Sequence, residues 1–222
     1  MDRKRKTVYL TIDDCPSKYF KEKIDFLIKN NIPAILFCIG KRMEQSKEDI
    51  IYAIKKGFII GNHSYSHRYF LAFSLRRIEF EISKTDEIID ELYKKAHVKR
   101  KFKFFRFPYG VRGLKIEKRK IQEILQKYGY KQPKFININY GWYSKLHLDK
   151  SNDIFWTYDI SEYKIKRLGE VLRRILNRNG KMSNLNSNEI LLIHDHARTT
   201  NWFFKIVEKL ANMNIKFILP EK

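Results

Sequence analysis

Two adjacent aspartates, Asp13 and Asp14, stand within Thr11-Ile-Asp-Asp-Cys-Pro-Ser17, directly after a short apolar run. Neighbouring side chains on a strand point to opposite faces. At a strand's end both carboxylates can converge, and two like charges resist joint ionisation unless a cation shares the site. Alone, such a pair is equally suited to capping the next helix. The second cluster is His63-Ser-Tyr-Ser-His67, again just past an apolar run. In a helical segment H-x-x-x-H puts two imidazoles on one face, where they can share a metal ion; two unrelated surface histidines are the plain rival. With Asp13 or Asp14 they make three protein ligands and leave coordination positions open for water and substrate, as a catalytic metal site requires.

Further apolar runs end in Arg106-Phe-Pro-Tyr109-Gly, Trp156-Thr-Tyr-Asp159 and Leu192-Ile-His194-Asp-His196. Arg106 suits fixing a carboxylate base. Asp159 suits holding a histidine in one tautomer and keeping it protonated, ready to act as an acid. His194 follows its apolar run immediately and is the better acid candidate, so His196, two residues further on, is expected to be a bystander. His97 and His147 lie beside basic residues in polar stretches and are expected at the surface.

These residues need a scaffold that gathers strand ends. Short β-branched or aromatic runs at 8–12, 34–39, 58–60, 103–107, 135–138, 154–158, 190–194 and 215–219 alternate with amphipathic stretches. Ser46-Lys-Glu-Asp49 resembles a capping box, and Gly57 is placed to end the helix that follows. Residues 75–95 repeat Ile78, Ile82, Ile89 and Leu92 near helical spacing, and 121–128 does the same before Gly129. Repeated strand–helix alternation implies a parallel sheet, open and doubly wound or closed as a barrel, with sites beyond the strands' carboxyl ends. No G-x-G-x-x-G follows any strand, which argues against a dinucleotide fold. Residues 178–188 read as one polar loop, and with no linker or repeat the chain, 1–222, reads as one domain.

The 222 residues are 43% hydrophobic and 14% aromatic, enough for a core and against disorder or a fibre. Forty-six Lys+Arg against 25 Asp+Glu leave +21, crowded into 94–103, 115–120 and 164–181, while the candidate metal-binding strand ends carry acidic groups and histidines. The excess therefore surrounds the candidate site more than it builds it, and suits an anionic or lipid-linked glycan at a membrane surface better than nucleic acid, for which no motif is present. Cys15 and Cys38 are too few for a disulfide scaffold, although both lie near ends of neighbouring strands. The basic start, residues 1–6, lacks a following apolar stretch of signal-peptide length, and no run is long enough to span a membrane. The expected location is cytoplasmic, with peripheral contact to a membrane through the basic surface.

In order and wording the five clusters resemble the motifs of the polysaccharide deacetylase family, also called carbohydrate esterase family 4 or the NodB-homology domain. They run over nearly the whole chain: Thr11 to Ser17, His63 to His67, Arg106 to Tyr109, the segment around Asp159, and Leu192 to His194. The resemblance implies a single-domain distorted (β/α) barrel of about seven parallel strands. It also implies a metal-dependent hydrolase that removes N-acetyl groups from an amino-sugar glycan. By position it implies Asp13 as general base; Asp14, His63 and His67 as ligands of a divalent metal, zinc first and cobalt, nickel or manganese as substitutes; and His194 as general acid. Arg106 would orient Asp13, Asp159 would pair with His194, the Tyr109 backbone N–H would face the oxyanion, Trp156 would contact substrate, and Leu192 would line the acetyl pocket.

Two departures from the pattern stand out. Cys15 occupies the place of the usual glycine after the aspartates, where a positive φ would strain it. Glu162 and Tyr163 stand where the family usually has a second Asp followed by Trp. A deformylase or O-acetyl esterase acting on a lipid-linked or polymeric sugar could use the same residues. A basic glycan- or nucleic-acid-binding protein with a vestigial site is the non-enzymatic alternative.

Overall fold

The computed structural model describes residues 5–113, 115–213 and 215–221, so most of the basic start, residues 1–4, lies outside it. Strand β1 (Lys6–Cys15) leads to helix α1 (Phe20–Lys29), β2 (Ile35–Cys38), α2 (Gly40–Gln45), α3 (Lys47–Lys55) and β3 (Ile59–Asn62). After the long α4 (Leu75–Lys95) come α5 (Lys115–Lys127), α6 (Gly141–Lys145), β4 (Tyr158–Asp159), α7 (Leu168–Ile175), β5 (Glu189–His194), α8 (Thr200–Ala211) and β6 (Ile215–Phe217). All strand pairings are parallel, in the order β3-β2-β1-β5-β4, and β6 pairs with the start of β1.

The sheet closes on itself through single hydrogen bonds rather than full strands. Asn62 at the end of β3 donates to Phe104 O (2.8 Å) and accepts from Arg106 N (3.0 Å), and Ile154 N donates to Phe105 O (2.8 Å). The chain then runs on into β4, which pairs with β5, so the ring is complete but distorted. It has six strands among the described residues where about seven are expected. Residues 103–107 make only the bridge at Phe105, because Pro108 ends the run and removes a donor. Residues 135–138 are broken by Asn137 at φ +55°, and their backbone groups are taken up by the Tyr9 hydroxyl and the Asn188 amide.

Side chains alternate along the strands and define two cores. Val8, Leu10 and Ile12 of β1, Leu36 and Cys38 of β2, and Leu191 and Ile193 of β5 face outward against Ile24 and Leu27 of α1 and Phe203 and Ile206 of α8. Tyr9, Ile35, Phe37, Ile59, Phe104, Ile154 and Ile190 fill the interior. Continuing that inner face toward the strands' carboxyl ends leads from Tyr9 through Thr11 to Asp13, and from Ile190 through Leu192 to His194. The apolar plug thus forms the floor on which the polar side chains stand. Helix α4 spans Leu75–Lys95, with the Ser74 hydroxyl accepting from Arg77 N as its N-cap. Ser46 precedes α3 without a side-chain cap bond, whereas Gly57 takes the expected left-handed position, φ +89°, at its end. No described helix is long and apolar enough to cross a membrane.

Candidate active site

A cleft of about 390 Å³ opens beyond the carboxyl ends of the strands. Asp13, Asp14, His63, His67, Tyr109, Trp156, Asp159, Leu192 and His194 all line it, and Arg106 is buried behind them. Asp13 and Asp14 converge by a local device. The β1–β2 register shifts between Ile12 and Cys15, and Asp14 stands at φ +63°, which turns its side chain back to the face that alternation gives to Asp13. Arg42 Nη1 donates to the Asp14 carbonyl at 2.5 Å and helps to hold that turn. The positive φ therefore falls on Asp14, and Cys15 is free of it. Both Cys15 and Cys38 are free thiols, buried as register partners.

Residues 63–67 are expected to be helical and instead form a turn, with Ser64 at φ +66° and His67 at φ +55°. The turn is held from below. Asn62 Oδ1 accepts from Ser64 N (2.8 Å), while its amide donates to Ile82 O and the Tyr130 hydroxyl. Glu81 of α4, fully buried, accepts from the Ser66 backbone (2.7 Å) and hydroxyl (2.9 Å). The turn also rests on the start of α2, where Gly40 N donates to Ser64 O; a Cβ at Gly40 would lie 2.7 Å from the Thr85 hydroxyl.

The result is a compact donor set. His67 Nε2 lies 2.9 Å and His63 Nε2 3.5 Å from Asp14 Oδ1, and one ligand atom from each of the three residues falls within 4.8 Å of the others. His63 Nδ1 is 2.9 Å from the Arg106 carbonyl, which can only accept, so the proton sits on Nδ1 and the Nε2 lone pair faces the site. Burial, the largest influence, pushes the His67 pKa down and favours its neutral form. Burial raises the Asp14 pKa, but contacts with His196, His63 and His67 outweigh it and hold the carboxylate well below the usual range. Asp14 Oδ1 has no hydrogen-bond partner. An ionised oxygen facing a nitrogen lone pair in a buried site needs a cation between them, so these residues fit a divalent metal.

Arg106 is 1% exposed and held through two of its nitrogens: Nη1 donates to Asp13 Oδ1 (2.8 Å) and Thr11 Oγ1 (2.7 Å), and Nε donates to Ile154 O (3.0 Å). Its guanidinium also lies over the Phe37 ring, 4.2 Å from the centroid. One carboxylate oxygen of Asp13 is thereby fixed and the other is left facing the cleft. Tyr109, at φ +58° in a tight turn, stacks on Tyr69 at 3.9 Å and donates to His67 O at 3.2 Å. Trp156 stacks on Phe155 and packs so closely on Gly110 that a Cβ there would lie 2.5 Å from its ring.

The partner of His194 differs from the expectation. Asp159 Oδ1 accepts from Ser161 N (2.7 Å) in a local turn with Ser161 at φ +53°. That turn commits the Asp159 carboxylate and brings the longer Glu162 back beneath β5. Glu162 Oε1, buried, accepts from His194 N (3.0 Å) and lies 3.2 Å from His194 Nδ1. Burial would lower the His194 pKa; the bond and charge of Glu162 prevail and raise it to about 9. Tyr163 meets the His194 ring edge to face at 4.6 Å, so residues 162 and 163 both contact His194. His196, expected to be a bystander, has Nε2 2.6 Å from Asp14 Oδ2. The signal for it was the i, i+2 spacing from His194, which returns a strand residue to the same face.

The sequence profile described as polysaccharide deacetylase matches residues 1–133, more than half of the chain. The chain belongs to the polysaccharide deacetylase family. It is similar to the peptidoglycan-N-acetylmuramic acid deacetylase PdaC of Bacillus subtilis, 25% identical over 222 residues that cover 98% of this chain and 38% of that protein. A peptidoglycan-N-acetylglucosamine deacetylase of Bacillus cereus is 36% identical over 104 residues, covering 46% of this chain and 36% of that one. The chain thus spans well under half the length of these curated relatives. The solved structure of PdaC superposes with a TM-score of 0.68 at 25% identity, over 98% of this chain and 89% of that one. A family 4 carbohydrate esterase of Streptomyces lividans, solved in complex with acetate, shares the fold at TM-score 0.68 and 20% identity, over 96% of this chain and 92% of that one.

Proposed function

We propose that the protein hydrolyses the acetamide of an N-acetylated amino-sugar glycan, releasing acetate and a free amine. The observation that carries this reading is the convergence in one cleft of a buried Asp-His-His donor set, an arginine-clamped carboxylate and a histidine kept protonated by a buried glutamate. A divalent metal held by Asp14, His63 and His67 supplies Lewis-acid polarisation of a carbonyl and of a water. Two imidazoles and one carboxylate suit zinc, and the same set accepts cobalt, nickel or manganese.

The chain's own residues supply the rest. Arg106 pins Asp13 Oδ1 and leaves Oδ2 to accept a proton from the attacking water. Tyr109, at the rim, offers its backbone N–H toward the developing oxyanion. Leu192 on the inner face of β5 and the Trp156 ring make the apolar wall for the acetyl methyl. His194 has Nδ1 on Glu162, so Nε2 is the atom that protonates the departing amine, which an amide cannot otherwise expel. The relatives' names, peptidoglycan deacetylases, favour a cell-wall glycan as substrate, and the +21 charge favours one that carries negative charge or a lipid-linked phosphate.

Matched N-acetyl, N-formyl and O-acetyl oligosaccharides, incubated with zinc-loaded protein and resolved by product analysis, separate this reading from a deformylase or esterase. Acetate from the N-acetyl substrate at the highest kcat/KM supports it. Release confined to the ester or the formyl amide overturns it.

A further inference from the structure

Beside the catalytic cleft lies a second hollow of about 750 Å³, well within the size range of ligand sites. Arg42 and His196 line both. The second hollow carries three further features. Lys18, Arg42 and Arg198 stand around it, all exposed, and none of them has a carboxylate partner among the described residues. Asp195 is the one acid in its lining, and it is already neutralised: its oxygens accept from Ser17 N, the Ser17 hydroxyl and the buried Lys23 ammonium, 2.5 Å away. Lys164 lines the catalytic cleft, with no ion pair among the described residues.

This pattern contrasts with the protein's inner cations. Lys6 is paired with Glu189, Arg100 and Lys103 with Asp86, Arg106 with Asp13, and Arg112 with Asp153. Those inner cations are matched by acids, whereas Lys18, Arg42 and Arg198 have no ion-pair partner among the described residues, which focuses positive potential into a concave surface. Arg42 is anchored through Nη1 on the Asp14 carbonyl, so the guanidinium sits at a fixed place between the reacting centre and the hollow. An arginine fork and a lysine side by side recognise oxyanions, carboxylate or phosphate, by charge-assisted hydrogen bonds.

We propose that this hollow is an oxyanion subsite of the catalytic cleft: Lys18, Arg42 and Arg198 receive a carboxylate or phosphate borne by a sugar next to the one whose acetamide is cleaved, making an acidic N-acetylated glycan the preferred substrate. The proposal rests on the deacetylase reading above and names the charge that its substrate carries.

The test compares three probes on the metal-loaded protein: neutral N-acetylglucosamine oligomers, oligomers of the same length carrying lactyl carboxylates, and oligomers carrying phosphate. At low salt the anionic oligomers are expected to have KM values about tenfold below the neutral one, and the advantage should vanish in about 1 M salt, where the Debye length is only ~3 Å. Lys18→Gln with Arg198→Gln should raise KM about tenfold for the anionic oligomers and less than twofold for the neutral one, with kcat unchanged. The carboxylate and phosphate arms tell which oxyanion is favoured. Binding of the same probes to the Asp13→Asn protein, measured by calorimetry, reads the subsite without turnover. Equal affinity for neutral and anionic probes, or an equal loss on both in the double variant, overturns the subsite. Absence of acetate release with an intact anionic preference in binding overturns the deacetylase reading instead.

Discussion

Replacing Glu162 by Gln isolates the group that sets the charge of His194. Gln keeps an oxygen able to accept the His194 backbone N–H and removes the negative charge 3.2 Å from Nδ1. With Glu162 in place the pKa rises from 6.5 to about 9, and at about 1.36 kcal/mol per pH unit this favours the protonated ring by roughly 3 kcal/mol, net of burial. Without that charge, burial is opposed only by the smaller influence of the Asp13 and Asp14 carboxylates, and the pKa should fall well below 9. Two consequences carry opposite signs of slope from an acid's behaviour. Because the folded-state value is raised, the stabilisation is complete below about pH 6.5 and is lost as pH climbs through about 9. Activity that needs protonated His194 should show its alkaline limb near 9 in the native protein and at clearly lower pH in Glu162→Gln. The assay is kcat/KM against pH, with NMR titration of the labelled His194 ring as the direct check. An alkaline limb that stays near 9 in Glu162→Gln, or moves as far in Asp159→Asn, refutes the assignment of Glu162 as partner.

Other outcomes follow from the same geometry. Asp13→Asn should abolish turnover and retain metal, whereas His63→Ala should lose metal by equilibrium dialysis; the reverse pattern would exchange the roles of the two sites. Lys23→Met leaves Asp195 buried without its cation, which should cost about 3–5 kcal/mol and lower Tm by roughly 10 °C, with part of the loss recovered in Lys23→Met/Asp195→Asn. An unchanged Tm in calorimetry would show that the pair contributes nothing. Cys15 and Cys38 are buried, and burial, with Cys38 alongside, pushes the Cys15 thiol pKa up, so neither should react with an aromatic disulfide reagent until the protein is unfolded. Rapid reaction of the native protein would contradict their placement.

Much of the site was legible because strand ends carry chemistry in parallel α/β folds, and the apolar runs mark those ends directly. Nine of the ten residues singled out line a single cleft, and the tenth, Arg106, supports it from behind. What remained hidden depends on backbone turns set by distant contacts. Nothing local to Asp14, Ser64 or His67 announces a positive φ in non-glycine residues; Arg42 and Asn62 hold the first two turns from other elements. The exchange of Asp159 for Glu162 hinges on the turn at Ser161, and His196 enters through a carboxylate 182 residues away in the chain. Residues 103–107 and 135–138 have strand composition, but closing a distorted ring leaves them single bridges or side-chain partners in place of a ladder.

If this cleft hydrolyses an acetamide, it needs both a metal and Asp13. The most direct test of this reading is acetate release from an N-acetylated glycan, followed in parallel for zinc-loaded protein, chelator-treated protein and zinc-loaded Asp13→Asn. Release by the first alone, restored to the second by returning metal, is the expected result. Release that persists without metal or in Asp13→Asn, or that is missing from the loaded native protein on every N-acetyl glycan, would contradict it.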